Sequence, residues 1–255
     1  MSQRDAGAPR NIFGSLMLDF RTTGYCRLID ITAVPEDDSS ALELSQQLTE
    51  ACKDVAWDEQ ARVVVLAFDG RIKLPTSGTE EISVVELVAK LKQPAIAAIR
   101  GDAIGFGLEL ALACDIRIGT EDARFGLNQI RQGIIPSNGG TQRLPRLVGY
   151  GKAMQMVLTG ELIDAREACR IGLINRVVSP DALMSSAMES AQDMAGKSPL
   201  SLSYSKEALH KGIDLTLDQG LRMELDLYLL LFSTSDRVEV ITAFKEKRKP
   251  EFKGE

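Results

Sequence analysis

PAIAAIRGDAIGFGLELALACDIRIGTEDARFGLNQIRQGIIPSNGGTQRLPRLVG occupies residues 94–149, and no other part of the chain is so dense in glycine, apolar runs and placed polar residues. It opens with a strand-like run, 95–99, followed by a loop holding Gly101, Gly105 and Gly107. Residues 108–113 read as a helix, with Glu109 in its first turn. A second strand-like run, 115–119, leads through a polar turn to Phe125-Gly126-Leu127-Asn128-Gln129. The pair Gly139-Gly140 closes the stretch before Thr141-Gln142-Arg143. A strand that enters a glycine loop and then a helix leaves backbone N–H groups without acceptors at the helix start. Those groups and the helix dipole favour negative charge. They suit a phosphate, or the oxyanion of an activated carbonyl. The Gly-x-Gly here is too short for a dinucleotide fingerprint, and no clear strand and acidic residue follow at the required offset.

Outward from this stretch, composition bounds the rest. The 255 residues are enough for one large domain or two small ones, with a sizeable core. Hydrophobic residues make up 44% and charged residues 26%, an ordinary balance for a globular protein. The net charge of −6 argues against a global nucleic-acid footprint, though local basic clusters can still hold an anionic ligand. Cys26, Cys52, Cys114 and Cys169 match no zinc spacing and are too sparse for a disulfide scaffold. A reducing cytoplasm is the expected compartment. No apolar run reaches the length of a membrane span, so no membrane partner is expected. Residues 1–11 lack the apolar centre of a secretory signal and read as a loose tail. His210 is the one histidine, which argues against a Ser-His-Asp or Cys-His machine and against a histidine-rich metal site.

In chain order, 16–20 and 26–32 read as strands joined at a Thr22-Thr23-Gly24 turn. Ser39 and Ser40 are candidate N-caps for a helix over 41–56, whose apolar residues Leu44, Leu48, Ala51, Cys52 and Val55 recur at helical spacing. The continuous run 62–68, RVVVLAF, is the mark of a strand buried on both faces. An irregular stretch, 71–78, precedes a short helix over 82–91. Strands alternating with helices give an α/β core. After Gly149 the reading is helical: 152–159, 164–171, 180–194, 200–211, 215–232 and 237–247, interrupted by a strand at 173–178. The segment LRMELDLYLLLF, 221–232, is apolar nearly all round, so burial on several sides is expected. Three regions result: a tail, 1–15; an α/β core, 16–195; and a helical C-terminal region, 196–255. A helical tail with little sheet to cover suits packing against a neighbouring subunit.

Taken together, three blocks closely resemble the crotonase family, the enoyl-CoA hydratases and isomerases. They are the stretch from Ile96 to Gly149; MVLTGELIDAREACRIGLINRVV, 156–178; and AFKEKRKPEF, 243–252. The resemblance covers about 62–252 and implies an α/β fold, the crotonase (ClpP-like) spiral of β-β-α units, with a helical C-terminal trimerisation region. It implies homotrimers, or homohexamers built as dimers of trimers. The substrate it implies is an acyl-CoA, with no cofactor beyond that thioester. Family members stabilise a thioester enolate between two backbone N–H groups. Carried over by position, one donor is the N–H of Phe106, flanked by Gly105 and Gly107; the family usually has glycine at the Phe106 position. The other falls at Leu74 in an ungapped register, within a 70–78 loop that lacks the usual Ala-Gly-x-Asp. Pro75 has no N–H to offer. Glu109 falls on the first catalytic glutamate and Gln129 on the second. A glutamine amide neither takes nor gives a proton at neutral pH, though it still hydrogen-bonds water or substrate. Ser137 stands where the family often has glycine, beside the catalytic water. Phe244 and Lys247 match residues that flank CoA in a neighbouring subunit.

Plainer roles stand beside these. Glu109 suits a helix start electrostatically whatever its chemistry, and Lys247 suits a helix end. Gln129 also reads as a surface amide, and the glycine loop as a bare turn. His210 reads as a surface or capping residue, Cys114 as core, Asp115 as structural at a strand start, and Trp57 as packed at a helix end. Three functions remain open. The first is an enoyl-CoA hydratase/isomerase with Glu109 as acid and base, slowed on crotonyl-CoA by the missing second carboxylate. The second is a specialised member, a decarboxylase or a hydratase/isomerase of an unusual or cyclic acyl-CoA, that needs one carboxylate. The third is a non-catalytic acyl-CoA binding protein.

Overall fold

The computed structural model describes residues 17–72 and 83–255. The expected tail and Leu74 lie outside the described residues. The first hairpin, β1 (Leu18–Thr23) and β2 (Cys26–Ile31), turns at Gly24-Tyr25, because Thr22 and Thr23, expected in the turn, pair with Arg27 and Cys26 instead. Helix α1 (Asp38–Trp57) starts earlier than Ser39 or Ser40 suggests. Asp37 is the N-cap: its carboxylate accepts from the Ser40 N–H (2.8 Å), and Ser40 Oγ accepts from the Asp37 N–H (3.2 Å). Aspartate caps as well as serine, and the reciprocal pair satisfies two donors at once. Trp57, expected to pack, is 87% exposed. It lies off the stripe Leu44, Leu48, Cys52 and Val55, which α1 buries.

Strand β3 (Val63–Asp69), helix α2 (Val84–Ala89) and strand β4 (Ala95–Arg100) follow. The glycine loop forms the two-residue strand β5 (Ala103–Ile104), then α3 (Phe106–Ala113). Strands β6 (Ile116–Thr120) and β7 (Arg124–Gly126) lead to a 3-10 turn, Gln129–Gln132. Helix α4 (Gly140–Val148) has no clear sequence signal, because it opens on a glycine pair and contains Pro145. Next come α5 (Tyr150–Thr159), β8 (Ile163–Asp164), α6 (Ala165–Arg170) and β9 (Arg176–Val178). A 3-10 turn, Pro180–Ala182, splits the expected 180–194 helix and leaves α7 (Leu183–Ala195). The chain ends in α8 (Pro199–Gly212), α9 (Leu217–Phe232) and α10 (Ser235–Glu246).

The main sheet has the order β1-β2-β3-β4-β6-β9, parallel except for the β1–β2 hairpin. A small second sheet, β5-β7-β8, stands apart. Its pieces are too short for a periodicity to show. The continuous apolar runs of β3 and β4 are explained by burial on both faces. Val64, Leu66, Phe68, Ala97 and Ile99 join one core with α1, α2 and α3. Val63, Val65, Ala67, Ile96 and Ala98 face the other way, onto Leu183, Ala187, Ala191 and Ala195 of α7. Alternate residues of a strand point to opposite faces, so both registers must be apolar. The four-residue spacing of the α7 contacts gives one apolar stripe on that helix. Helix α9 is different: none of its residues is buried within the chain, against the expectation for 221–232.

Candidate active site

The end of β3 and the start of α3 are pressed together. A Cβ added to Gly107 would lie 1.9 Å from the Gly70 carbonyl oxygen, so only glycine lets these backbones meet. The Ile104 N–H donates to the same oxygen at 3.2 Å. Gly105 precedes the helix at φ +60° and offers no side-chain cap. Helix α3 thus begins at Phe106 with its first N–H groups lacking intrahelical acceptors. Phe106 is half-buried, and everything from Gly107 to Ala113 is buried.

Glu109 is 2% exposed, one turn into α3. Its Oε1 accepts from the N–H of Asn138 (2.7 Å) and of Gly140 (3.1 Å). Its Oε2 accepts from Gln129 Nε2 (3.1 Å). Burial raises the Glu109 pKa, and the donors from Asn138, Gly140 and Gln129 only partly counter it. The carboxyl is therefore held in one orientation, with its pKa above the ordinary glutamate value. Gln129 is 8% exposed and opens its 3-10 turn. Its amide nitrogen is committed to Glu109, and its buried Oε1 has no partner among the described residues. An orphan acceptor of this kind is costly unless something donates to it.

The structure therefore brings together Gly105, Phe106, Gly107, Glu109 and Gln129. Ser137 is exposed, one residue before the Asn138 donor, and its Oγ accepts from Asn138 Nδ2 (3.3 Å). The residues that sequence reasoning missed are Asn138 and Gly140, which act through backbone N–H groups. Their one trace in the sequence is the glycine pair at 139–140. Phe244 and Lys247 are not among Glu109's partners. Phe244 is 84% exposed on α10, and Lys247 caps that helix in the left-handed region (φ 55°).

The other reactive side chains lie elsewhere. His210 Nε2 pairs with Asp115 Oδ1 (2.8 Å), while Asp115 Oδ2 takes Lys206 Nζ (2.8 Å) and the Ala95 N–H (2.7 Å). Burial opposes the Asp115 charge, but His210, Lys206 and the Ala95 N–H outweigh it and lower its pKa. This cluster ties α8 to the edge of the core, and Asp115 is structural as expected. Burial pushes the Cys52 and Cys114 thiols up to about 12, far from reactive thiolates. Among the described residues no group of acidic, histidine and cysteine side chains is arranged to hold a metal ion. No helix among them is long and apolar enough to cross a membrane.

Fold and site together define a class: an α/β protein with a buried, hydrogen-bonded carboxyl beside a glycine-lined helix start. Comparison with known proteins narrows it. Residues 71–255 match the family described as enoyl-CoA hydratase/isomerase. The 2,3-dehydroadipyl-CoA hydratase of Escherichia coli is 40% identical over 225 residues, covering 83% of this chain and 88% of that protein. The short-chain-enoyl-CoA hydratase of Clostridium acetobutylicum is 46% identical over 161 residues, 63% of this chain and 62% of that protein. The chain thus spans under two thirds of the Clostridium relative's length. The crystal structure of an enoyl-CoA hydratase from Bacillus anthracis superposes with a TM-score of 0.85 at 35% identity, covering 94% of this chain and all of that one. The chain belongs to the enoyl-CoA hydratase/isomerase family, and its fold is of the crotonase type.

Proposed function

We propose that this protein is an acyl-CoA lyase of the hydratase type in which Glu109 alone carries protons and Gln129 holds the water. The observation that supports it best is the pair formed by the clasped Glu109 carboxylate and the orphaned Gln129 Oε1. A water donating one hydrogen to Glu109 Oε2 and the other to Gln129 Oε1 has its lone pair free. That oxygen adds to C3 of an enoyl thioester as Glu109 takes its proton. The electrons pass to the thioester oxygen, forming an enolate. Glu109 then returns the proton to C2, so the net change is addition of one water. The Phe106 N–H, at the positive end of α3, is one donor for the enolate oxygen, and the Leu74 N–H, in the 70–78 loop, is proposed as the other.

Lys247 and Phe244 are proposed to meet the CoA of a neighbouring subunit in a homotrimer or hexamer. The apolar side chains exposed on α9 support such an assembly, and the cytoplasm is the proposed compartment. No cofactor beyond the thioester enters this scheme. The single carboxylate also favours a second reading: a specialised reaction, such as decarboxylation or conversion of a cyclic acyl-CoA, that needs one proton carrier. The test is a panel of straight-chain, branched, cyclic and carboxylated acyl-CoAs, with products read by mass spectrometry. Hydration that vanishes in Glu109→Gln is the expected result. Release of CO2 from a carboxylated thioester points to the second reading. Tight binding with no product from any thioester contradicts both and leaves a non-catalytic acyl-CoA binder.

A further inference from the structure

The two N–H groups that hold Glu109 belong to one short turn, and a single cation braces it. Arg143 lies in the first turns of α4, and its Nη1 donates to the Asn138 carbonyl oxygen at 2.8 Å. Its backbone N–H donates to the Gly139 carbonyl, also at 2.8 Å. Arg143 therefore grips, from both ends of itself, the segment lying between the two donors to Glu109. Gly139 makes room for this. It sits at φ +87°, and a Cβ there would fall 2.3 Å from Arg143 Nη1.

We propose that Arg143 is a positioning residue for Glu109: by gripping the Asn138–Gly139 peptide it keeps the Asn138 and Gly140 N–H groups converging on Oε1. This rests on the reading of Glu109 as the proton carrier. A turn of this kind, free to rotate by one peptide flip, loses one donor or both. The guanidinium prevents that with a charge-assisted bond, stronger than its neutral counterpart. It also fixes Oε1 as the oxygen held by the turn, leaving Oε2 to face Gln129.

The experiment compares wild type with Arg143→Met and Arg143→Lys. The carboxyl 13C titration of Glu109 is followed by NMR in the unliganded protein, and kcat and KM are measured on the best thioester of the panel. In Arg143→Met the Glu109 midpoint moves upward, because donors that favour its charged form are lost. The kcat falls by about ten- to a hundredfold, with KM changed by less than about threefold, as expected of a misplaced catalytic group. Arg143→Lys, which keeps one cationic donor, recovers part of both. A folded Arg143→Met with an unmoved Glu109 titration and wild-type kcat, whatever its Tm, overturns the proposal. Should Arg143→Met not fold, Arg143→Gln is held to the same two readings. The NMR titration needs no turnover. A wild type without activity on any thioester sinks the hydratase reading, yet the titration still decides the role of Arg143.

Discussion

Helices α3 and α9 are both strongly apolar, yet the chain treats them oppositely. Every residue of α3 from Gly107 to Ala113 is buried, between the end of β3, the α2 helix and the α4 turn. No residue of α9 is buried, and Leu221, Leu225, Tyr228, Leu229, Leu230 and Phe232 are each at least half exposed. An apolar segment states a demand for burial without saying what meets it. In α3 the demand is met inside the chain, and the packed helix carries the Glu109 carboxyl into the interior. In α9 it is unmet, so a second copy of the chain is the occupant proposed above.

The sharpest way to break this contrast is at Gly107. Gly107→Ala drives a Cβ into the Gly70 backbone, which has no flexible end to yield. A loss of more than about 3 kcal/mol, or no soluble protein, is expected in urea unfolding. A near-neutral result means that the β3–α3 contact is looser than described.

Next come paired leucines. Leu110→Ala, at a fully buried site, costs about 2–5 kcal/mol. Leu229→Ala costs the isolated chain little, but it weakens the proposed assembly, visible as a shift to smaller species in sedimentation. Equal stability losses with no change in mass would remove the distinction between the two helices.

The site gives a third prediction. Gln129→Glu restores a second carboxylate beside Glu109 and raises straight-chain hydration by about a hundredfold. No gain in steady-state assays counts against the two-carboxylate logic. The like charge also raises one of the two pKa values further.

The smallest effect is expected on α9 itself. Gly220, inside the helix, has only an ordinary 3.8 Å contact for an added Cβ. Gly220→Ala should stabilise by about 0.5–1 kcal/mol in thermal unfolding, opposite in sign to Gly107→Ala. A loss there instead indicates a close partner backbone at that point.

Much of this was legible in the sequence. The apolar run of β3, the stripe of α1 and the glycine loop before α3 each carry a period or a residue type that geometry demands. Glu109 and Gln129 were placed by their motif. What was not legible acts without a side-chain signature. Asn138 and Gly140 serve through backbone N–H groups, which every residue but proline has. Helix α4 was hidden because its opening glycines and Pro145 have poor helix propensity, overridden here by packing. Asp37 took the capping role from Ser39 and Ser40 because the helix begins earlier. Trp57 was misplaced because its size suggested burial, while its phase on α1 decides exposure.

Glu109 also sets a sign for stability. Its folded pKa is raised, so the protein gains stability as pH falls through that value and loses it as the carboxyl ionises. Glu109→Gln should therefore keep or raise Tm at neutral pH while activity falls. The most direct test is the pH dependence of kcat/KM for wild type and Glu109→Gln on the best thioester. One acidic limb is predicted in the wild type, with its midpoint above the ordinary glutamate range, because Glu109 must be ionised to take the water's proton. In Glu109→Gln the rate should drop by about a hundred- to ten-thousandfold and the limb should vanish. A Glu109→Gln enzyme that keeps both the wild-type rate and the limb would contradict the central claim that Glu109 carries the proton.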